Sequence, residues 1–161
     1  MNDVTTIPAP YAHQKITTDF IVDTNTCLIT SDPGTGKTRA VLDAHAILGG
    51  KTLVLAPLSI LEAAWGEDIN KFQPEIKYGV AYAKNRKQVF EDNENEMVIT
   101  NFEAVNFLSK NTHYCEQFDT IVIDEFTAFK NREAKRSKNL KKIISYFTNR
   151  IAMSGTPNSN T

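Results

Sequence analysis

The clearest chemistry in the chain lies in eight residues, Ser31-Asp32-Pro33-Gly34-Thr35-Gly36-Lys37-Thr38. An apolar run, Cys27-Leu28-Ile29-Thr30, precedes them, and a helical pattern starts near Arg39. Strand, glycine-bearing loop and helix is the order a phosphate-binding loop requires. Glycine lets successive backbone N–H groups turn inward around an anion. The following helix adds the positive end of its dipole. Asp32, Pro33, Gly34, Thr35 and Gly36 would form the cradle. Lys37 would meet the β- and γ-phosphates of a nucleotide, and the Thr38 hydroxyl would ligate Mg²⁺. The pattern usually opens on glycine. Here it opens on Ser31, which is small enough for the position.

A second constellation is Ile121-Val122-Ile123-Asp124-Glu125. An apolar strand delivers two acids at its carboxyl end, where open α/β sheets place their ligands. Alone, such a pair is equally a solvated strand end. Downstream of a phosphate loop it suits phosphoryl chemistry: Asp124 to hold Mg²⁺ and Glu125 to orient an attacking water.

The strongest basic run is Lys130 to Lys142, with Arg132, Lys135, Arg136, Lys138 and Lys141 against one acid, Glu133. It fits either contact with nucleic-acid phosphates or a solvated helix face. Elsewhere charge is balanced: 18 basic and 19 acidic residues give a net charge of −1, so no global field draws the chain to nucleic acid or membrane. His13, His45 and His113 lack ligand-spaced neighbours and suit surface or packing roles rather than metal. Cys27 and Cys115 lie far apart, so a disulfide framework is not expected and a reduced, cytoplasmic setting is. The opening Met1-Asn2-Asp3-Val4 has no secretory pattern, and no apolar run approaches membrane-spanning length.

The elements that must position these groups alternate. Helices are expected over 11–22, 37–48, 84–90, 102–108 and 133–147. A further helix is expected from Ser59, as N-cap with Glu62 completing a capping box, through Phe72. Strands are expected over 26–30, 52–56, 78–82, 97–100, 120–124 and 150–154. Continuous apolar strands between helices indicate an α/β fold, a mostly parallel sheet with helices on both faces. The 161 residues are enough for one domain with its own core.

On these residues the chain resembles the first RecA-like lobe of a superfamily-two helicase-like ATPase of the Swi/Snf type, including phage relatives. Pro10-Tyr11-Ala12-His13-Gln14 resembles the adenine-recognising Q motif, and Ser31 to Thr38 matches motif I. Leu55-Ala56-Pro57-Leu58-Ser59-Ile60-Leu61, with Trp65 downstream, resembles motif Ia, and Ile99-Thr100-Asn101-Phe102 resembles motif Ib. Asp124-Glu125-Phe126-Thr127 stands in place of the DExx box, with Phe126-Thr127 replacing the commoner small residue and His. Lys130-Asn131 follows at the family's spacing, and Ser154-Gly155-Thr156-Pro157 resembles motif III. Each string is short. Their shared order across nearly the whole chain is specific.

The resemblance implies a three-layer RecA-like P-loop domain over residues 1–161, the first lobe alone, with ATP and Mg²⁺ as cofactors. It implies a second lobe that supplies an arginine finger and part of the nucleic-acid track, so that the isolated lobe hydrolyses ATP poorly. It implies DNA or RNA as partner, no membrane, and the cytoplasm of a bacterial or phage-infected cell. Gln14 would pair the adenine edge and Tyr11 would stack on it; a capped N-terminal helix is the alternative for both. Ser59 and Thr100 would hold nucleic-acid phosphates, or simply cap helices. Lys130 and Asn131 would contact nucleic acid. Ser154 and Thr156 would sense the γ-phosphate through Asp124. Trp65 suits the core better than a stacking platform. Two other readings are a P-loop ATPase of another class, against which motifs Ia, Ib and III argue, and a stand-alone module that binds nucleic acid or protein.

Overall fold

The computed structural model describes residues 7–30, 36–132 and 134–154, side chains at 130–132 excepted. Within them six strands form one all-parallel sheet. They are β1 (Thr26–Thr30), β2 (Thr52–Leu55), β3 (Tyr78–Ala81), β4 (Met97–Thr100), β5 (Thr120–Ile123) and β6 (Asn149–Ser154), in spatial order β1-β6-β5-β2-β4-β3. The helices are α1 (Ala12–Asp23), α2 (Lys37–Leu48), α3 (Glu67–Phe72), α4 (Arg86–Glu91), α5 (Ala104–Lys110), α6 (Phe126–Arg132) and α7 (Ala134–Ile143).

The central strands β2, β4 and β5 are buried at every residue, which is why they are apolar without alternation. Alternation reappears as a division between the two faces. Leu53, Leu55, Ile121 and Ile123 face Val105, Leu108, Phe129 and Ile143. Val54, Ile99, Val122 and Ile151 face Ile21, Leu42, Leu61, Trp65 and Ile69. Each fully buried side chain of this size contributes on the order of 1.5–3 kcal/mol. The connections obey one crossover hand. The chain moves one way along the sheet from β1 to β2 to β3, with α2 and α3 on one face. It moves back through β4, β5 and β6, with α4 to α7 on the other. Every carboxyl end therefore opens on the same edge.

β1, α2 and β4 begin and end where the sequence predicts. Two stretches differ. After Pro57 the chain makes a 3₁₀ turn (Leu58–Ile60) and a π-helical turn (Leu61–Gly66) before α3. Ser59 caps nothing, and the Glu62 carboxylate accepts the Tyr78 hydroxyl at 2.9 Å instead of closing a capping box. The wide turn buries both Leu61 and Trp65 against the sheet, a demand that outweighs the local cap. The basic helix expected over 133–147 is α7, Ala134–Ile143, followed by a 3₁₀ turn at Ile144–Tyr146, and a helix not expected from sequence, α6, precedes it. Buried Phe129 anchors α6 to the core, so the helix starts directly after the two acids. A 3₁₀ turn at Thr112–Gln117, not expected from sequence, buries Tyr114 and Cys115. Burial pushes the Cys115 thiol up to about 12, which leaves it unreactive near neutrality. Among the described residues no helix is long and apolar enough to cross a membrane.

His45 is buried in α2, with Nδ1 2.8 Å from the Thr52 hydroxyl and Nε2 3.5 Å from the Glu96 carboxylate. Burial lowers its pKa below the ordinary 6.5, and the attraction of Glu96 only partly opposes this. The unfolded chain then takes up a proton near 6.5 that the folded chain refuses. Stability is complete above that value and falls as the pH drops through the folded pKa. The midpoint of urea unfolding should therefore decrease as the pH falls below the ordinary 6.5, and His45→Gln should flatten that decrease. An unchanged pH dependence in the variant would remove His45 from the account.

Candidate nucleotide site

Residues 31–35, which hold Asp32, Pro33, Gly34 and Thr35, lie outside the described residues, as does Thr156. The loop is described from Gly36, the N-cap of α2, where φ is +80°. A Cβ there would suffer both the left-handed backbone and a collision with Gln14 Nε2, so the position requires glycine. Lys37 and Thr38 occupy the first turn of α2, both half-buried. That turn carries no acidic residue, so the positive end of the helix dipole is left for an anion.

Gln14 ties α1 to this loop. Its Oε1 accepts the Tyr11 N–H at 2.8 Å, and its Nε2 donates to the Gly36 carbonyl at 3.3 Å. The buried carboxamide thus holds the base of the loop. Tyr11 is 69 % exposed, its ring stacked on His13 at 5.7 Å.

Asp124 follows β5 and is buried, its N–H bonded to the Leu55 carbonyl at 2.7 Å. Its Oδ2 accepts the Trp65 indole N–H at 2.9 Å. Burial raises the carboxyl pKa; the nearby Glu125 charge adds to the rise, while the Trp65 hydrogen bond and the Lys37 ammonium oppose it. Lys37 and Asp124, from opposite ends of the site's sequence, therefore act on each other. Glu125, half-buried, has φ +56°, a conformation that costs a non-glycine residue on the order of 1–3 kcal/mol.

β1, β6 and β5 are neighbours, so the loop after β1 and the acids after β5 stand two strand spacings apart, about 10 Å. Ser154 ends β6 between them. It is buried, and its hydroxyl lies 3.4 Å from that of Thr127 in α6. Motif III thus touches the residue that departs from the family's DExx pattern. Thr127 and Trp65 are the two site residues that sequence reasoning missed. Trp65 was placed in the core correctly, but nothing in the spacing pairs it with a carboxylate 59 residues away.

The remaining candidates separate. Ser59 is exposed in the 3₁₀ turn after β2. Lys130 and Asn131 lie on α6, their side chains outside the description. Thr100 is the last residue of β4, as the sequence predicts, but it is fully buried, and its hydroxyl donates to the Ala81 carbonyl. Its side chain is not available to a phosphate.

Residues 13–161 match the family described as SNF2-related domain. A protein of Acyrthosiphon pisum secondary endosymbiont phage 1, p41, is 28 % identical over 168 residues, covering 95 % of this chain and 36 % of p41. The ATP-dependent helicase fft2 of Schizosaccharomyces pombe is 27 % identical over 147 residues, covering 83 % of this chain and 11 % of fft2. The chain thus spans about a third of the first and a ninth of the second. The Sulfolobus solfataricus SWI2/SNF2 ATPase core, solved in complex with dsDNA, superposes with a TM-score of 0.75 at 24 % identity, over 98 % of this chain and 36 % of that one. The UvsW helicase of bacteriophage T4 gives 0.70 at 16 %, over 91 % and 52 %. These two likenesses bear out the expected RecA-like α/β fold.

The raised carboxyl pKa makes Asp124 a cost to the ligand-free fold. The folded chain holds that proton more tightly than the unfolded chain. This group's contribution to stability therefore declines as pH rises from the ordinary 3.8 through the raised value. Asp124→Asn keeps an acceptor for Trp65 and removes the buried charge. It should raise the urea midpoint at neutral pH and shift the emission of Trp65, the chain's single tryptophan. A lower midpoint at neutral pH would contradict this account.

Proposed function

The chain belongs to the SNF2-related domain family, and we propose that it is the Mg-ATP-binding motor lobe of a nucleic-acid-dependent ATPase, a helicase or DNA translocase. What supports this reading is the placement of Lys37, on the helix after the phosphate loop, and Asp124, at the end of a strand two places away, on one edge of the sheet.

The residues present suit the cofactors. The Asp124 carboxylate accepts the Trp65 N–H and the Glu125 backbone N–H, and its remaining lone pairs would meet a cation or its water. Among the described residues no cluster of three or more His, Cys, Asp or Glu could hold a metal alone. A Mg²⁺ held by the Thr38 hydroxyl and Asp124 would need nucleotide phosphate to complete its shell, as in P-loop ATPases. Bound there, the ion supplies charge neutralisation for phosphoryl transfer. Lys37 and the α2 N-terminus hold the phosphates, with Asp32 to Gly36 as cradle. Tyr11 stacks on the base and Gln14 fixes its edge. Glu125 orients the attacking water and takes its proton. The Ser154–Thr127 contact supports a link between motif III and the acids, through which Ser154 and Thr156 would sense the γ-phosphate.

A second RecA-like lobe completes the site in this proposal and provides the cationic finger. Ser59, Lys130 and Asn131 lie on the nucleic-acid side.

Two substitutions test the assignment. Lys37→Ala should abolish Mg-ATP binding by calorimetry, since it removes the cation aimed at the β- and γ-phosphates. Undiminished affinity rules out the phosphate-loop assignment. In a protein that carries both lobes, Glu125→Gln should hold ATP affinity within a few-fold yet suppress turnover, because it removes only water activation. Surviving turnover would assign the base elsewhere.

A further inference from the structure

A second polar cavity opens near the carboxyl end of β4, about 260 Å³ in volume, between α5 and α7. Arg86, Lys135 and Arg136 bring three cations to its walls against one carboxylate, Glu103. Asn106 and Asn139 line it as well, joined by a hydrogen bond of 3.4 Å.

Both guanidiniums are pre-set by flat contacts. Arg86 lies over the Phe107 ring at 5.8 Å, and Arg136 over Phe102 and Phe129 at 5.2 and 5.6 Å. Few of their donors are used. Arg86 gives one hydrogen bond, from Nη2 to the Asn101 side chain at 2.9 Å, and Arg136 gives a long one to the Phe129 carbonyl at 3.5 Å. Arg86 Nε is buried and is, among the described residues, the one buried side-chain polar atom without a hydrogen-bond partner. A guanidinium carries five N–H donors in a planar fork that matches phosphate oxygens. A buried donor left unmatched costs about 1–3 kcal/mol, so a site that keeps one suits a ligand that accepts it.

The nucleotide cannot supply that ligand. β4 stands four strand spacings from β1, about 19 Å from the phosphate loop, beyond the triphosphate of an ATP bound there. Arg86, Phe102 and Glu103 in its lining nevertheless follow the carboxyl ends of β3 and β4, on the edge shared by all six strands. We propose that it is a second phosphate site, one that seats a backbone phosphodiester of a nucleic-acid strand between Arg86 and Arg136. This rests on the nucleic-acid partner of the proposed function and adds a seat to it. Glu103, exposed at the cavity, is the one carboxylate in its lining and opposes an anion there.

Anisotropy of a labelled single-stranded oligonucleotide across a salt series tests it, with ATP binding measured in parallel. Arg136→Gln should weaken the strand about tenfold and lower the salt slope by about 0.7, the share of one phosphate on a single strand. Glu103→Gln should tighten binding. Lys110→Gln, an exposed charge at the end of α5 outside the cavity, should do neither. Arg86→Lys, which keeps the charge but loses the fork, covers the chance that larger changes at Arg86 unfold the chain. If Arg136→Gln and Arg86→Lys lose no more than Lys110→Gln, the seat is refuted while the ATPase reading stands. If the parent chain binds ATP through Lys37 but no strand at low salt, the seat and the nucleic-acid partner both fall. If pyrophosphate stabilises Lys37→Ala protein while no strand binds, the cavity takes free phosphate, and the strand assignment is overturned.

Discussion

A parallel sheet with both faces buried governs this molecule. Parallel neighbours cannot be joined by hairpins, so every strand must be followed by a crossing segment that returns the chain to the start of the next. All six carboxyl ends then emerge on one edge. The Gly36 loop, Asp124 and Ser154 are brought together by that rule and not by contacts among themselves. The face division completes it. Leu53 and Leu55 look to one layer and Val54 to the other, which locks the register that sets where β5 ends and where its acids begin.

On that edge, the price of function is concentrated at Asp124 and Glu125. A carboxylate buried beside another acid is unfavourable, and Asp124 remains tolerable through three partners: the Trp65 indole, the Glu125 backbone N–H and the Lys37 charge. Glu125 holds a left-handed backbone that its side chain does not favour. Strain and an unfavourable charge in adjacent residues mark the centre that the rest of the fold has to stabilise.

Sequence made most of this legible, for reasons that differ by element. β1, α2 and β4 were readable because pattern and punctuation agree: an apolar run into the loop, then a helical run stopped by Gly49-Gly50, both at positive φ. The turn after β2 was not, because Ser59 and Glu62 spell a cap locally while Leu61 and Trp65 must both reach the sheet. α6 was missed because charge dominates the segment and hides Phe126 and Phe129, whose spacing carries the helix. Within the proposed site, Lys37, Asp124 and Glu125 are singled out by local strings, the helix start after a glycine and the acids after an apolar strand. The Trp65–Asp124 and Ser154–Thr127 contacts are products of strand order, which no local string encodes.

α6 is where these threads meet. It starts beside the strained Glu125, and its second residue, Thr127, touches Ser154 of β6. Phe129 then packs edge-on against Phe102 at 5.3 Å and lies beneath the Arg136 guanidinium. One short helix therefore meets Ser154 near its start and, two residues later, the Phe102 and Arg136 side chains that line the basic cavity. Coupling between two sites requires an element with two arrangements that both sites bias, not merely a line of contacts. Thr127 and Phe129 are carried on one helix, so the approach to Ser154 and the packing beneath Arg136 share a single support.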